Sequence, residues 1–434
     1  AISFGVSYVA TKLFMEEPEQ QQFESGVKLN KRGATNPIPI LYGRRTVGGS
    51  IVFMDVNGSD NKNLHMVVAL AEGEVHSIND VFLNDIVHND SEWGGTVTAY
   101  KDKIGADDQT AHSALVSEFS EWTNDHRLRG VANVYLKIRF DQEVWSGVPD
   151  ITADVKGLKV YDPRDGSTAW SDNPALCLRD YLINSRYGRG IPSSMIDDDS
   201  FEAAANYCEE IVTFKNADGT NFQEKRFTCN GVLSPDESAI DNVKKLLSSC
   251  RGTLVFSSGK YKLVLDKPET SIAFNFNDDN ICGNLSLGLG DKTNIFNKMR
   301  VNYFDKDLNF EQSYLLYDNS TLRSTQDNGL DLIGDLKLPM TNTRQRVYNI
   351  AQQEVKKSRQ SIVVSFKSTL EALKCDVGDL VTITDERIGF SLKKFRIVRL
   401  TMNADDTIQV AVKEYDGSVY TDDEYVPPAE PDQL

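Results

Sequence analysis

The sequence predicts a β-rich α+β protein of several domains, in which two small β-barrel-like domains flank a mixed α/β middle region. Branched and aromatic residues alternate with small and polar ones from Gly48 to Leu83 and again from Ser361 to Tyr415, a pattern typical of half-buried strands. Between these regions, apolar residues recur at helical spacing in three successive segments. At 434 residues the chain is also too long for one hydrophobic core of ordinary size.

The predicted domain boundaries follow changes in composition. Residues 1–35 combine an apolar arm, Ala1–Met15, with a polar linker rich in Glu and Gln, and we expect the arm to dock on a neighbour as a terminal strand or helix. The other ranges are a first β-barrel domain at 36–165 with a helical insertion at about 105–128, a mixed helical and hairpin domain at 166–270, a β-rich domain at 271–345, a second β-barrel domain at 346–427 and a frayed tail at 428–434.

In the first barrel domain, Asn36–Gly43 cannot be helical, because each proline pushes its predecessor out of the helical region. Turn residues then separate three predicted strands, at 48–55, 63–71 and 74–83. A later strand at 131–140 places four apolar residues on one face: Val134, Leu136, Ile138 and Phe140.

The helical insertion is predicted from the spacing of three large residues. Leu115, Phe119 and Trp122 follow one another at intervals of four and three and indicate one helix over Gln109–Trp122.

The middle region predicts three short amphipathic helices and a hairpin. The first begins with Asn173 as its cap and Pro174 in its first turn. The second covers about 200–212 and is expected to bury Phe201, Ala204, Ala205, Cys208 and Ile211. The third begins at Ser234-Pro235, ends at Gly252 and is expected to bury Ile240, Val243, Leu247 and Cys250. The hairpin pairs 253–256 with 261–265.

The rest of the chain predicts strands around one long helix. Strands are expected at 297–304 and 311–317, and the helix at 342–360. The last barrel then contains Val377-Gly-Asp379, whose glycine permits a tight turn into the alternating strand Leu380-Val-Thr-Ile383.

Charge, cysteines and hydropathy exclude several classes of protein. The formal net charge of -17 argues against electrostatic binding of DNA, because the average surface repels phosphate. The six cysteines show no Cys-x-x-Cys spacing, so we expect reduced, buried thiols and neither a metal nor a cofactor. No run of 18 apolar residues could form a membrane-spanning helix.

The sequence contains only weak matches to catalytic or ligand-binding motifs. The histidines, His65, His76, His88, His112 and His126, lack the spacing of a metal or catalytic motif. The acidic clusters lack the pattern of a calcium loop; they are Asp197–Asp199, Asp278–Asp279, Asp305–Asp307 and Asp422–Glu424. Gly283–Gly290 lacks the ending of a phosphate loop and favours a β-bulge or loop. Arg186–Arg189 favours salt bridges over nucleic acid. We therefore predict no catalytic, cofactor-binding or metal-binding residues.

The most specific signal is a series of motifs in a fixed order. A strand ends in Val155-Lys-Gly-Leu-Lys-Val-Tyr-Asp-Pro-Arg164. Asn173-Pro-Ala-Leu-Cys-Leu-Arg-Asp-Tyr-Leu182 and the turn Arg186-Tyr-Gly188 follow, then Cys229-Asn-Gly231, a helix and the hairpin turn Gly259-Lys260. This series resembles the baseplate hub or tail tip attachment proteins of long-tailed phages, the lambda J-like group. The resemblance covers about 36–415 and is strongest from Trp145 to Asp266.

The resemblance implies a structural protein and not an enzyme. It implies a homotrimer whose barrel domains form a ring, which closes the tail tube and opens for the tape-measure protein and the genome. The implied partners are the distal tail protein, the tail tube and tape-measure proteins, and a central fibre or receptor-binding protein. DNA would pass without specific binding, and the hub would not insert stably into a membrane.

The implied location is the distal end of the virion tail, after synthesis in the host cytoplasm. The chain ends soon after the second barrel, so receptor binding is not part of what the resemblance implies.

Two alternatives from other classes stay open on sequence. A cell-wall-degrading tail enzyme, a glycosidase or peptidase, would require a buried carboxylate pair in a deep cleft. A carbohydrate-binding tail module would require exposed aromatic residues along a groove.

Overall fold

The computed structural model describes residues 30–32, 37–215, 220–289 and 294–420. The predicted apolar arm Ala1–Met15, nearly all of the linker that follows it and the tail at 428–434 lie outside these residues. Several sheets and short helices confirm the predicted β-rich α+β class.

Two sheets pack face to face in the first part of the chain. A seven-stranded sheet contains the order β1-β4-β5-β9-β8, and a five-stranded sheet has the order β11-β10-β6-β7 with β3 beside β10. Their elements are β1 (Lys31–Arg32), β2 (Ile40–Tyr42), β3 (Arg44–Val47), β4 (Ser50–Asn57), β5 (Asn63–Glu72), β6 (Val75–Leu83), β7 (Ile86–Val87), β8 (Val97–Lys103), α1 (Ser113–Glu118), β9 (Val131–Arg139), β10 (Ile151–Tyr161) and β11 (Thr168–Trp170). We call these two sheets the sheet pair.

The core of the sheet pair comes from the alternation that predicted its strands. Met66, Val68 and Leu70 from β5 meet Val81 and Val155 from the other sheet, and all five are fully buried. Phe140, predicted on the same face as Val134, Leu136 and Ile138, lies just past β9 and is 49% exposed.

The predicted helix over 109–122 is wrong in extent, since only Ser113–Glu118 is helical. Phe119 and Trp122 are buried from a loop and contact the ring of Phe53 edge to face, with centroids 5.2 and 5.1 Å apart. Phe119 and Trp122 are therefore buried by contacts with the outer face of the sheet and not by the helix that their spacing suggested.

Helices and hairpins form the next layer, which we call the helical layer. Its elements are α2 (Pro174–Ile183), α3 (Asp198–Glu209), β12 (Ile211–Lys215), β13 (Asn221–Lys225), β14 (Gly231–Leu233), α4 (Ala239–Ser248), β15 (Gly252–Ser257) and β16 (Lys260–Leu265). Strand β14 pairs with β2 and so extends the seven-stranded sheet.

The capping residues in the sequence predicted the start of α2 correctly but the start of α4 incorrectly. Asn173 caps α2 as predicted, and its side chain accepts a hydrogen bond from the amide of Ala175 at 3.0 Å. Helix α4 begins four residues later than predicted, with Ser238 as its cap. Ile240 is therefore 55% exposed, and Ile211 is 62% exposed at the start of β12, so both were wrongly predicted to be buried.

Two further sheets complete the molecule. Their elements are β17 (Phe274–Phe276), β18 (Ile281–Leu289), β19 (Lys298–Asp305), β20 (Glu311–Asp318), α5 (Ser320–Thr325), β21 (Ile333–Leu338), α6 (Arg344–Ser358), β22 (Ile362–Ser368), β23 (Leu380–Asp385), β24 (Phe390–Met402) and β25 (Ile408–Glu414). Strands β20-β19-β21 form a three-stranded sheet, on which α6 packs. Strands β17-β23-β24-β25-β22-β18 form the terminal sheet.

The terminal sheet draws its strands from two separate stretches of sequence. Strands β17 and β18 precede the three-stranded sheet along the chain, yet they form the two edges of the sheet built by β22–β25. The domain division predicted from composition stays a prediction. No helix in the described part of the chain combines the length and apolarity needed to cross a bilayer.

Candidate functional site

The residues of the sequence motifs meet where the sheet pair contacts the helical layer. Asp180, from the α2 motif, accepts hydrogen bonds at Oδ2 from the hydroxyls of Tyr42 at 2.6 Å and Tyr187 at 3.0 Å. Tyr42 lies on β2 and Tyr187 in the Arg-Tyr-Gly turn. Burial raises the pKa of Asp180, although the two hydroxyls oppose this effect. One carboxylate thus joins three segments that are distant in sequence.

A second junction lies at the bend between β2 and β3. Gly43 has φ +66°, and a Cβ on it would lie 2.1 Å from the carbonyl oxygen of Cys229. The side chain of Asn230 accepts a hydrogen bond from the backbone amide of Arg44 at 2.8 Å. The backbone amide of Asn230 donates a hydrogen bond to the carbonyl of Met340 at 2.7 Å. The Cys-Asn-Gly motif therefore ties the sheet pair to the segment that precedes α6.

The glycine of the Val-Lys-Gly motif allows two backbones to cross. The amide of Gly157 donates to the carbonyl of Gly43 at 2.7 Å. A Cβ on Gly157 would lie 2.2 Å from the carbonyl oxygen of Leu41, closer than real Cβ contacts come. Strand β10 can therefore pass β2 only with glycine at this position.

The Tyr-Asp-Pro-Arg end of β10 clamps helix α3. Arg164 contacts Asp162 at 2.6 Å and Glu209, at the end of α3, at 2.7 Å. It also donates to Asn206 Oδ1 at 2.9 Å. Hydrogen bonds to Asp162 and Glu209 raise the pKa of Arg164, so this cation stays charged and fixes the turn to the helix.

A polar cleft of about 560 Å³ lies beside these junctions. Strands of the sheet pair, hairpin β12–β13, the turn after β19 and the start of α6 line it. Its acidic side chains face basic ones: Asp154 contacts Arg44 at 2.7 Å and Asp172 contacts Lys225 at 3.0 Å. Most of the charged side chains that line the cleft thus form ion pairs within the chain. This arrangement favours a structural contact between parts of the chain over a binding site for a charged ligand.

The most buried pair in the cleft is Arg346 with Glu224. Their contact is 2.8 Å, and their side chains are 3% and 9% exposed. Arg346 also donates to Thr228 Oγ1 at 2.8 Å and to the carbonyls of Lys225 and Arg226. Burial raises the pKa of Glu224 against the opposing charge of Arg346, and it lowers the pKa of Arg346. The pair fixes α6 to hairpin β12–β13.

A second buried charge cluster joins the helical layer to the terminal sheet. Asp266 follows β16 and contacts Arg251, Lys357 at 2.6 Å and the hydroxyl of Tyr420 at 2.5 Å. Burial alone raises the pKa of Asp266, but the charges of Arg251 and Lys357 outweigh burial and hold it well below its usual range. We call these four residues, with Glu354 beside Arg251, the Asp266 cluster.

The residues considered for chemistry from sequence do not converge. His65 is buried on β5, where Nδ1 lies 3.0 Å from the Tyr135 hydroxyl, and His76 is exposed on β6. Asp198 and Asp199 occupy the first turn of α3. The cluster Asp422–Glu424 lies outside the described residues. Within the described ranges, no group of three or more His, Cys, Asp or Glu side chains could hold a metal ion.

Other interpretations of the sequence hold in the structure. The segment that begins at Gly283 belongs to β18, whose register with β22 shifts between Cys282 and Ser286, in line with the predicted β-bulge or loop. Arg186 forms an ion pair with Glu72 and so serves as an internal salt bridge. All six thiols are free of disulfides; five of them are buried as predicted, whereas Cys282 is half-buried.

Sequence reasoning missed the two buried carboxylates of these ion pairs, Glu224 and Asp266. Glu224 and Asp266 stand in no motif. Arg346 and Lys357 lie about a hundred positions from them in the chain, although Arg251 is only 15 positions from Asp266. The only signal in the sequence is that Glu224 occurs within a short strand pattern and Asp266 directly after one.

Comparisons with known proteins agree with the motifs. A model of the family described as "Putative phage tail protein" matches residues 238–400. Over 92% of its length the chain is 25% identical to the baseplate hub protein pb3 of Escherichia phage T5, of which it covers 50%. It is 25% identical over 61% of its length to tip attachment protein J of Escherichia phage SECphi27, of which it covers 23%. The chain thus spans half or less of the length of these relatives.

The fold also has a match among solved structures. The structure matches a chain from the virion of a native gene transfer agent particle with a TM-score of 0.68 at 15% identity, over 96% of this chain and 94% of that one. The sequence matches thus agree with the motifs described above: this chain is similar to baseplate hub and tip attachment proteins of phage tails.

Proposed function

We propose that this chain is a structural hub at the distal end of a siphophage-like tail. Three copies would form a ring that closes the tail tube before infection and opens for the tape-measure protein and the genome. The observation that carries the proposal is the similarity to a baseplate hub protein along 92% of the chain.

The architecture supports a structural role. The motif residues Asp180, Asn230, Gly157 and Arg164 contact other parts of the same chain. Catalytic side chains would instead converge on a space that a substrate can reach. The buried carboxylates of the polar cleft are held by Arg44 and Arg346, so neither is free to act as an acid or base.

The charge of the chain fits a channel for DNA. With a formal net charge of -17, the average surface repels a phosphate backbone. DNA would pass such a ring without specific binding. The proposed neighbours are the distal tail, tail tube and tape-measure proteins, and a central fibre or receptor-binding protein.

Mass in solution and position in the tail test this proposal. We would measure the mass of the purified chain by light scattering and label assembled tails with an antibody against it for negative-stain imaging. A mass of three chains, with label at the tail tip, is the expected result. A monomer over the whole concentration range, with no label at the tip, would refute the hub function and direct attention to cell-wall hydrolysis.

A further inference from the structure

Among the described residues, strand β4 has a free edge along most of its length. One side of β4 pairs with β5 along its length, but on the other side only Ser50 and Ile51 pair, with Lys31 and Arg32 of β1. From Val52 to Asn57 no described strand lies on that side. The amide of Val56 donates instead to the side chain of its neighbour Asp55 at 2.7 Å.

The free edge borders an uncovered apolar face. Val52, Met54 and Val56 are 43%, 38% and 41% exposed, and Phe140 is 49% exposed. Met54 pairs with Met66, and Val56 with Leu64, which in turn pairs with Ile138. Met66 and Ile138 belong to the core of the sheet pair, so this face turns toward the core. At this corner the opposite sheet does not cover it.

A free edge beside apolar side chains is a site for an added strand. Proteins usually protect such edges with charges, prolines or bulges. Strand β4 has one irregularity of this kind, at Val52, where its register with β5 shifts; beyond it, from Phe53 to Asn57, the one charged residue is Asp55 and there is no proline. Added strands gain main-chain hydrogen bonds from the edge and specificity from alternate side chains that face the apolar surface.

The sequence contains a segment with the matching pattern. From Ile2 to Tyr8, large apolar residues occupy every second position and small residues the positions between them: Ile2, Phe4, Val6 and Tyr8 against Ser3, Gly5 and Ser7. Strict alternation of this kind predicts a strand with one apolar face. The first charged residue is Lys12, so the segment brings no charge to the apolar corner.

The direction of the chain favours a second copy as the source of this segment. Strand β1 runs parallel to β4, so the chain before Lys31 leads away from Met54 and Val56. Asn30 fixes this exit, because its side chain bonds both the amide and the carbonyl of Ile151. The residues between Tyr8 and Asn30 could span about 70 Å when extended, which suffices to reach a neighbouring molecule.

We propose that residues 2–8 of a second copy add as a strand to β4 along Val52–Asn57. The apolar side chains of the added strand cover Met54, Val56 and Phe140. The inference rests on the proposed ring, for which it supplies a contact between copies: each copy gives an arm and accepts one. Such an exchange is head to tail and can close into a ring.

A photo-cross-link in the full chain tests the exchange. Met54 is replaced by benzoylphenylalanine, and copies with normal and heavy nitrogen are mixed before assembly. We expect cross-linked peptides from residues 1–12 that join a light copy to a heavy one. The matched control places the same group at Leu316, which is 57% exposed on β20, and is expected to give no such peptide.

A charge substitution adds a second measurement. Met54→Lys would place an ammonium group against the added strand, and we expect it to raise the concentration at half-assembly by at least about tenfold. Leu316→Lys should leave that concentration unchanged.

The possible outcomes separate the inference from the proposed function. If the protein assembles but Met54 cross-links only within one copy, or to another segment, the arm exchange is refuted while the hub function stands. A chain that stays monomeric refutes both.

Discussion

The hydroxyl of Tyr42 donates a hydrogen bond to Asp180 Oδ2 over 2.6 Å, although the two residues are 138 positions apart in the chain. Tyr42 is fully buried on β2, and Asp180 belongs to α2. This bond links the sheet pair to the helical layer. It also explains why an aspartate stands in the α2 motif without any catalytic partner.

Replacement of Tyr42 by Phe tests this link. Tyr42→Phe keeps the ring but leaves a desolvated carboxylate with one donor fewer, so we expect the free energy of unfolding to fall by about 1–3 kcal/mol. The midpoint of urea unfolding gives the change. Tyr161→Phe is the control, because Tyr161 is 40% exposed and contacts Arg179 through its ring. Equal losses of stability in Tyr42→Phe and Tyr161→Phe would contradict the stabilising role given to the Tyr42 hydroxyl.

Local signals account for the parts of the fold that the sequence predicted well. Asn173 and Pro174 start α2 through contacts within one turn, so their effect is readable from neighbouring residues. Phe119 and Trp122 misled the prediction because their partner Phe53 lies in another strand. Spacing alone could not distinguish a helix from a loop whose apolar side chains are covered by a sheet.

Gly157→Ala tests the crossing of β10 over β2. The added methyl group would lie 2.2 Å from the carbonyl oxygen of Leu41, and backbone cannot yield as a flexible side chain can. We expect a loss of more than about 4 kcal/mol in stability or failure to fold. Gly147→Ala is the matched control, because no heavy atom lies within 4 Å of a Cβ there. Thermal midpoints of the two variants that differ by less than 1 °C would refute steric exclusion.

The buried pair in the polar cleft predicts a pH effect with a definite sign. Arg346→Met leaves Glu224 buried without its cation. Burial already raises the pKa of Glu224, and we expect loss of Arg346 to raise it further. A carboxyl group whose folded pKa exceeds its unfolded value binds protons better when folded, so stability falls as pH rises above the ordinary Glu range, about 4.3.

Thermal midpoints at several pH values check this sign. We expect Arg346→Met to lose about 3–5 kcal/mol at pH 8 and less at pH 5. The double variant Arg346→Met with Glu224→Gln has no carboxyl group left to titrate at this position, so the stability of Arg346→Met should fall relative to the double variant as pH rises. If Arg346→Met lost more stability at pH 5 than at pH 8, the role given to Glu224 would be contradicted.

The candidate site was less predictable than the fold. The glycines and the aspartates of the motifs were visible in the sequence, but their purpose depends on where β10 crosses β2 and where α2 meets β2. Such positions follow from tertiary packing and not from local propensity. Glu224 and Asp266 belong to no motif, because a carboxylate that pairs with cations from other elements leaves no periodic pattern in the sequence.

The Asp266 cluster predicts the opposite pH effect. Arg251 and Lys357 hold the pKa of Asp266 below its usual range despite burial. A depressed folded pKa gives stability that is present above the unfolded value, about 3.9, and is lost as pH falls through that range. Asp266→Asn should therefore cost about 3–5 kcal/mol at pH 7, where Arg251 and Lys357 lose their shared anion.

Urea unfolding of the wild type and Asp266→Asn from pH 7 to pH 3 measures this effect. The difference between the two proteins should be largest at pH 7 and should shrink below about pH 4, because Asp266 of the unfolded wild-type chain then binds a proton that the folded chain, with its lowered pKa, does not. Asp279→Asn is the control, since Asp279 is exposed in the turn between β17 and β18 and should change little at any pH. A difference that stays constant from pH 7 to pH 3 would show that Asp266 acts through shape and not charge.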